Sequence, residues 1–130
     1  MRDEQGSVTV VTVGVIAVGF LLVVGLVAVG QLAAGRIQAT NAADAAALAA
    51  APVTFRSFGA RGSPFDEAAI FAAANHAQLV DCRCPLDSSY APRTVTVTVQ
   101  IEVDVVGYRG VTIRATSSAE FRPTVLLVGP

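Results

Sequence analysis

The residues best equipped for chemistry in this 130-residue chain lie between His76 and Asp104. His76 is the single histidine, and Asp81, Cys82 and Cys84 follow it closely. Imidazole, carboxylate and thiolate all ligate zinc, so these four side chains could in principle complete a tetrahedral site. Against that, C-x-C is tighter than the usual ligand spacing and carboxylates are uncommon at structural zinc, so the expected metal is none. A cysteine nucleophile needs a base within hydrogen-bond reach, and nothing in the spacing brings His76, on an expected helix, to Cys82 in an expected loop. Cys82 and Cys84 instead suggest a small disulfide ring around Arg83, given an oxidising compartment. Glu102 and Asp104 stand on the polar side of a strand-like run, where charges ordinarily form a solvated face. There is no phosphate-cradling glycine loop and no serine elbow. The expectation is a chain that is not an enzyme and carries no cofactor.

Three elements must hold these residues. Ser63-Pro64-Phe65-Asp66-Glu67 is a helix start, with an N-cap serine, proline at the first helical position and two acids in the first turn. The spacing predicts a helix from there to about Val80, burying Phe65, Ala68, Ala69, Ala72 and Leu79, with Ile70 or Phe71 flanking that face. Residues 81–93, with two prolines, two cysteines and Ser88-Ser89, read as a loop. From Thr94 to Asp104 valine and isoleucine alternate with polar residues, the pattern of a half-buried strand. Val111, Ile113, Ala115, Ser117, Ala119 and Phe121 repeat it. Gly107-Tyr108-Arg109-Gly110 between the two runs predicts a hairpin turn and antiparallel pairing. A lone hairpin is marginal, so the helix is expected to cover its apolar face. Val125 to Val128 forms a short apolar tail.

All of this follows a very different segment. From Gly6 to Gly35 there is no Asp, Glu, Lys or Arg. At a rise of about 1.5 Å per residue the run exceeds the roughly 20 residues needed to cross a bilayer as a helix. Its opening, S-V-T-V-V-T-V, is rich in β-branched residues, but a single strand in lipid would leave its backbone groups unpaired, and a helix pairs them internally. Gly14, Gly19, Gly25 and Gly30 recur along it, and pairs eleven apart share nearly one face, a pattern suited to packing against other membrane helices. Beyond Gln31 the chain turns polar on one side while remaining alanine-rich, so the helix is expected to continue as a stem to Ala51, before Pro52. Leu26, Ile37 and Leu48 form an apolar stripe along this continuation. The fold class expected is α+β: a long N-terminal transmembrane helix with a stem, then a small head of one helix on an antiparallel hairpin. A formal net charge of −1, with no clustered basic residues, argues against a nucleic-acid surface and against a polybasic lipid patch, since both need clustered positive charge.

Gly6-Ser7 before the apolar run, the stem A-A-D-A-A-A-L-A-A-A at residues 42–51 and the terminal Val/Thr hairpin together resemble the TadE-like (TadE/TadG) proteins of tight-adherence, Flp-type pilus and secretion loci. Within that family the chain looks like the actinobacterial branch, found near helicase and secretion genes. The resemblance implies that residues 1–6 are a prepilin-like leader cut between Gly6 and Ser7 by a membrane aspartyl prepilin peptidase. It further implies that residues 7–51 form the transmembrane helix and stem, and residues 52–130 a head outside the cytoplasmic membrane. Pilins of this superfamily usually carry a glutamate five residues into the mature chain, and counting from Ser7 that position is Val11. Its absence favours a minor pilin, pseudopilin or accessory subunit over the repeating core pilin.

Two classes of function follow. The first is a single-pass structural subunit whose partners are other pilin-like subunits, the assembly machinery, the peptidase and the lipid bilayer. The second is a secreted or membrane-tethered binding protein released by signal peptidase after Gly30 or Gly35, where small residues suit that enzyme. A zinc-dependent regulatory head is a weaker third.

Overall fold

The structure is a computed structural model that describes residues 4–55 and 62–126. Phe58 and Gly59 of the connector, the first three residues and the end of the apolar tail lie outside the described residues. The elements, in order, are α1 (Glu4–Val53), α2 (Pro64–Ala74), β1 (Gln78–Arg83), β2 (Arg93–Val105), β3 (Tyr108–Phe121) and a short 3-10 turn (Pro123–Leu126). The fold is α+β, with a long apolar N-terminal helix followed by a small helix and a three-stranded antiparallel sheet.

Helix α1 is continuous for 50 residues. Pro52 falls in its last turn, and Thr54 closes the end by donating its hydroxyl to the Ala51 carbonyl at 2.6 Å. Helix α2 starts as its residues dictate: the Ser63 side chain accepts the Asp66 N–H at 3.0 Å, and the Ser63 hydroxyl donates to the Asp66 carboxylate at 2.8 Å.

Its end corrects the sequence reading. Helix α2 stops at Ala74 rather than near Val80, with Asn75 donating its side-chain amide to the Phe71 carbonyl and His76 adopting a left-handed φ of 57°. Histidine is among the residues that tolerate this region, and the turn sends the chain back along the sheet. Gln78–Arg83, expected as helix end and loop, is instead a third strand. It pairs with β2 from Gln78 opposite Gln100 to Arg83 opposite Thr96, with one bulge near Val80. The hairpin is therefore not alone, because β1 satisfies the β2 backbone that a two-stranded ribbon would leave bare.

The β2–β3 register runs from Arg93 opposite Phe121 to Val105 opposite Tyr108. The turn is shorter than Gly107–Gly110. Val106 and Gly107 form it, and Tyr108, Arg109 and Gly110 already belong to β3. Gly107 and Gly110 have φ of 84° and 69°, and the Gly110 N–H donates to the Asp104 carboxylate at 3.0 Å where the register shifts. On the solvent face, the hydroxyls of Thr96 and Ser118 lie 3.0 Å apart and those of Thr98 and Thr116 2.9 Å apart.

The core is where the stem meets the sheet. Ala39, Ala42, Ala43, Ala46, Ala47 and Ala50 of α1 are fully buried, facing Val95, Val97, Val99 and Ile101 of β2 and Ala68 and Ala72 of α2. The hairpin's apolar face is thus covered by the stem, while α2 packs on the stem and on β1. Alanine makes this possible: a short side chain lets the helix axis approach sheet and neighbouring helix closely, and the valines supply the volume. On α2 the buried stripe is Pro64, Ala68 and Ala72 at four-residue spacing. That turns Phe65 outward, 52% exposed, against the expectation that it is buried; Ile70 and Phe71 are exposed too.

Candidate functional site

The segment set apart by the fold is the front half of α1. Valine, leucine and glycine dominate it, and a helix is the one conformation in which such residues satisfy their own backbone without a neighbouring strand. The chain provides no cover for them. The large apolar side chains from Val8 to Leu22 are all exposed, Leu26 is 74% exposed, and the strongest apolar window has no buried residue. The β-branched opening forms helix as expected, and the Thr12 hydroxyl is absorbed by donating to the Val8 carbonyl at 2.8 Å. Gly6 and Ser7 both lie within the α1 backbone.

The glycines at 14, 19, 25, 30 and 35 divide along the helix. A Cβ added at Gly14, Gly19, Gly25 or Gly30 would meet nothing within 4 Å. At Gly35 it would stand 2.8 Å from both Val103 Cγ2 and Ile113 Cδ1. Gly35 is therefore where the helix backbone comes up against the hairpin, beneath the Val103 and Ile113 side chains.

From Gly35 onward the hairpin lies alongside α1. The Ser117 hydroxyl donates to Asp44, and at the far end Arg93 donates to the Thr54 carbonyl at 3.2 Å with its guanidinium 5.5 Å from the Phe55 ring centre. Arg93 is 7% exposed and also donates to the carbonyls of Asp87 and Ser89, so it ties residues 85–92 to the end of the helix. Beside it the Ser89 hydroxyl and N–H both donate to Asp87, which hold that carboxyl below its usual value. At the opposite end, nearest the bare half of the helix, Val106 donates its N–H to the Gln31 side chain at 2.9 Å. The tip of the hairpin points back toward the bare half of the helix.

The chemistry-bearing residues fall elsewhere. Cys82 and Cys84 are joined as a disulfide with Cα atoms 5.4 Å apart, at the end of β1 rather than in a loop. Both are partly buried against the alanine core. Among the described residues no group of three or more His, Cys, Asp or Glu is placed to hold a metal ion. Glu102 and Asp104 lie on the exposed face of β2. The feature that sequence reasoning missed is Gly35, whose role depends on two β-branched side chains distant in sequence.

No curated protein and no solved structure matches the chain. A family model does match, over residues 6–53, which is the whole of the apolar helix and its alanine stem. That family is a structural one of pilus assembly, and a long apolar N-terminal helix fits a membrane-anchored member of it. Over this helix the chain is similar to the TadE/G-like Flp pilus-assembly family.

Proposed function

We propose that the chain is a single-pass, pilin-like structural subunit, a minor pilin or pseudopilin, of a tight-adherence pilus or related secretion apparatus. The observation that carries this reading is the division of one continuous helix: residues 8–30 are left bare by their own chain, and residues 35–51 are built into the head. Bare apolar surface on this scale requires lipid or other helices as its solvent. The open glycines at 14, 19, 25 and 30 suit close approach by neighbouring membrane helices, which are the pilus components this family works with. Residues 1–6 act as a leader cut between Gly6 and Ser7 by prepilin peptidase, residues 7–51 as membrane helix and stem, and residues 52–130 as the head. The Cys82–Cys84 disulfide supports a head outside the cytoplasmic membrane, since disulfides persist in oxidising compartments. Val11 at the place of the usual glutamate supports an accessory role.

A secreted or tethered binding protein, released after Gly30, is the competing reading, because a cut there leaves the whole alanine core intact. A cut after Gly35 would also remove Gln31, which holds Val106. Intact-mass and N-terminal peptide analysis of the protein from its native membrane separates the two. A chain beginning at Ser7 is the expected result, and one beginning at Gln31 or Arg36 overturns the subunit reading.

A further inference from the structure

Because β2 and β3 run alongside the stem, the position of their turn is fixed relative to the apolar segment. Gly35 touches Val103 and Ile113, and four residues earlier Gln31 accepts the Val106 N–H. Residues 8–30 rise about 34 Å as a helix, close to the roughly 30 Å of a bilayer's hydrocarbon core. With that run in the bilayer, Gln31 stands at the hydrocarbon boundary and the turn stands in the headgroup layer.

The residues at the turn have the chemistry of that layer. Val106 is 46% exposed, and Tyr108, at 76%, is the most exposed of the large hydrophobic side chains described. Neither packs on the head's own core. Tyrosine with an apolar ring and a polar hydroxyl is enriched where hydrocarbon meets water. Arg109 follows Tyr108, and Arg36 and Arg114 line a groove on the same end of the head. The acids nearby are Glu102 and Asp104, and Asp104 is engaged by the Gly110 N–H. Three guanidiniums against two carboxylates leave this end slightly cationic, suited to lipid phosphate.

We propose that the Val106–Arg109 tip of the hairpin is a second membrane contact, seating Tyr108 and Arg109 in the phospholipid headgroup layer beside the emerging helix. This rests on the membrane-anchored reading above. The contact fixes the rotation of the helix and the angle at which the head leaves the membrane, since the hairpin joins α1 along its whole stem. A single helix anchor would leave both free.

The chain contains no tryptophan, so one introduced residue reports its own depth. The full chain is placed in nanodiscs of phosphatidylcholine and phosphatidylglycerol as three variants: Tyr108→Trp, Val29→Trp in the apolar run, and Tyr90→Trp at the opposite end of the head. The lipids carry bromine either near the headgroup end or near the end of the acyl chain. The expected result is that Tyr108→Trp shows a blue-shifted emission and loses intensity with headgroup-proximal bromine, while Tyr90→Trp loses none. If Val29→Trp is quenched but Tyr108→Trp behaves like Tyr90→Trp, the hairpin contact is overturned and the anchor stands. If Val29→Trp is unquenched by either lipid, the anchor reading fails and the contact fails with it.

Discussion

The two halves of one helix differ in what covers them. Upstream of Gly30, α1 shows valine, leucine and phenylalanine outward on all sides; downstream of Gly35 the residues it buries are almost all alanine. The difference is one of side-chain volume matched to what lies opposite. A bilayer, the surroundings proposed for the first half, would accept any apolar shape and reward area, which suits the large residues there. A strand of valines accepts only what fills the remaining gap, so the stem is alanine where it faces β2 and glycine where it faces Val103 and Ile113. Burial in this half is measured by closeness of approach rather than by large side chains.

The contrast can be broken most forcefully at Ala46. Replacing this fully buried alanine by leucine should destabilise the head by about 2–3 kcal/mol, because added methylenes have no space between helix and sheet. Ala17→Leu in the exposed half should leave head stability unchanged. Denaturant titration of the full chain in detergent micelles checks both, and equal effects would dissolve the distinction between the halves.

A finer version compares glycines. Gly35→Ala places a methyl at 2.8 Å from two side-chain ends, a strain partly offset by the better helix propensity of alanine. The expected net loss is about 1 kcal/mol or less, with recovery in Gly35→Ala/Val103→Ala. Gly25→Ala meets nothing within 4 Å and should not lower head stability. Head destabilisation by both would show that glycine itself, rather than close approach, is what the helix requires.

The smallest effect belongs to the loop that Arg93 holds. The Asp87 carboxyl is kept below its usual value, first by the Ser89 hydroxyl and then by the Ser89 N–H, with the Arg93 guanidinium assisting. A lowered carboxyl contributes stability above its unfolded pKa of about 3.9, and the contribution is lost as pH falls through the lowered folded value. The amide resonance of Ser89 should therefore titrate below about pH 4 while the alanine core stays folded. Replacement of Asp87 by Asn should abolish that titration, and its persistence would assign the transition to another group.

Much of this was legible because periodicity reports which faces are apolar. The uncharged run, the start of α2 at Ser63 and the alternation from Val95 to Ile101 all occur as read, since each depends on neighbours within a few residues. The end of α2 was not legible. Gln78–Arg83 has no strong alternation, and it becomes a strand because β2 offers an open edge that its backbone can satisfy. Phe65 was misread for a related reason: helical spacing allowed two faces, and only contact with the stem selected Pro64, Ala68 and Ala72. The covering of the hairpin was likewise assigned to α2, although the stem carries it.

Charge, hydropathy and alternation are properties of the local chain, and they suffice to place a long apolar helix before a small α+β head. Packing across the chain is what makes the last part of that helix the head's core, sets Gly35 apart from the glycines at 14, 19, 25 and 30, and returns the hairpin tip to Gln31. Those outcomes depend on which surfaces meet across many residues, and a pattern read along the chain records the faces but not their partners.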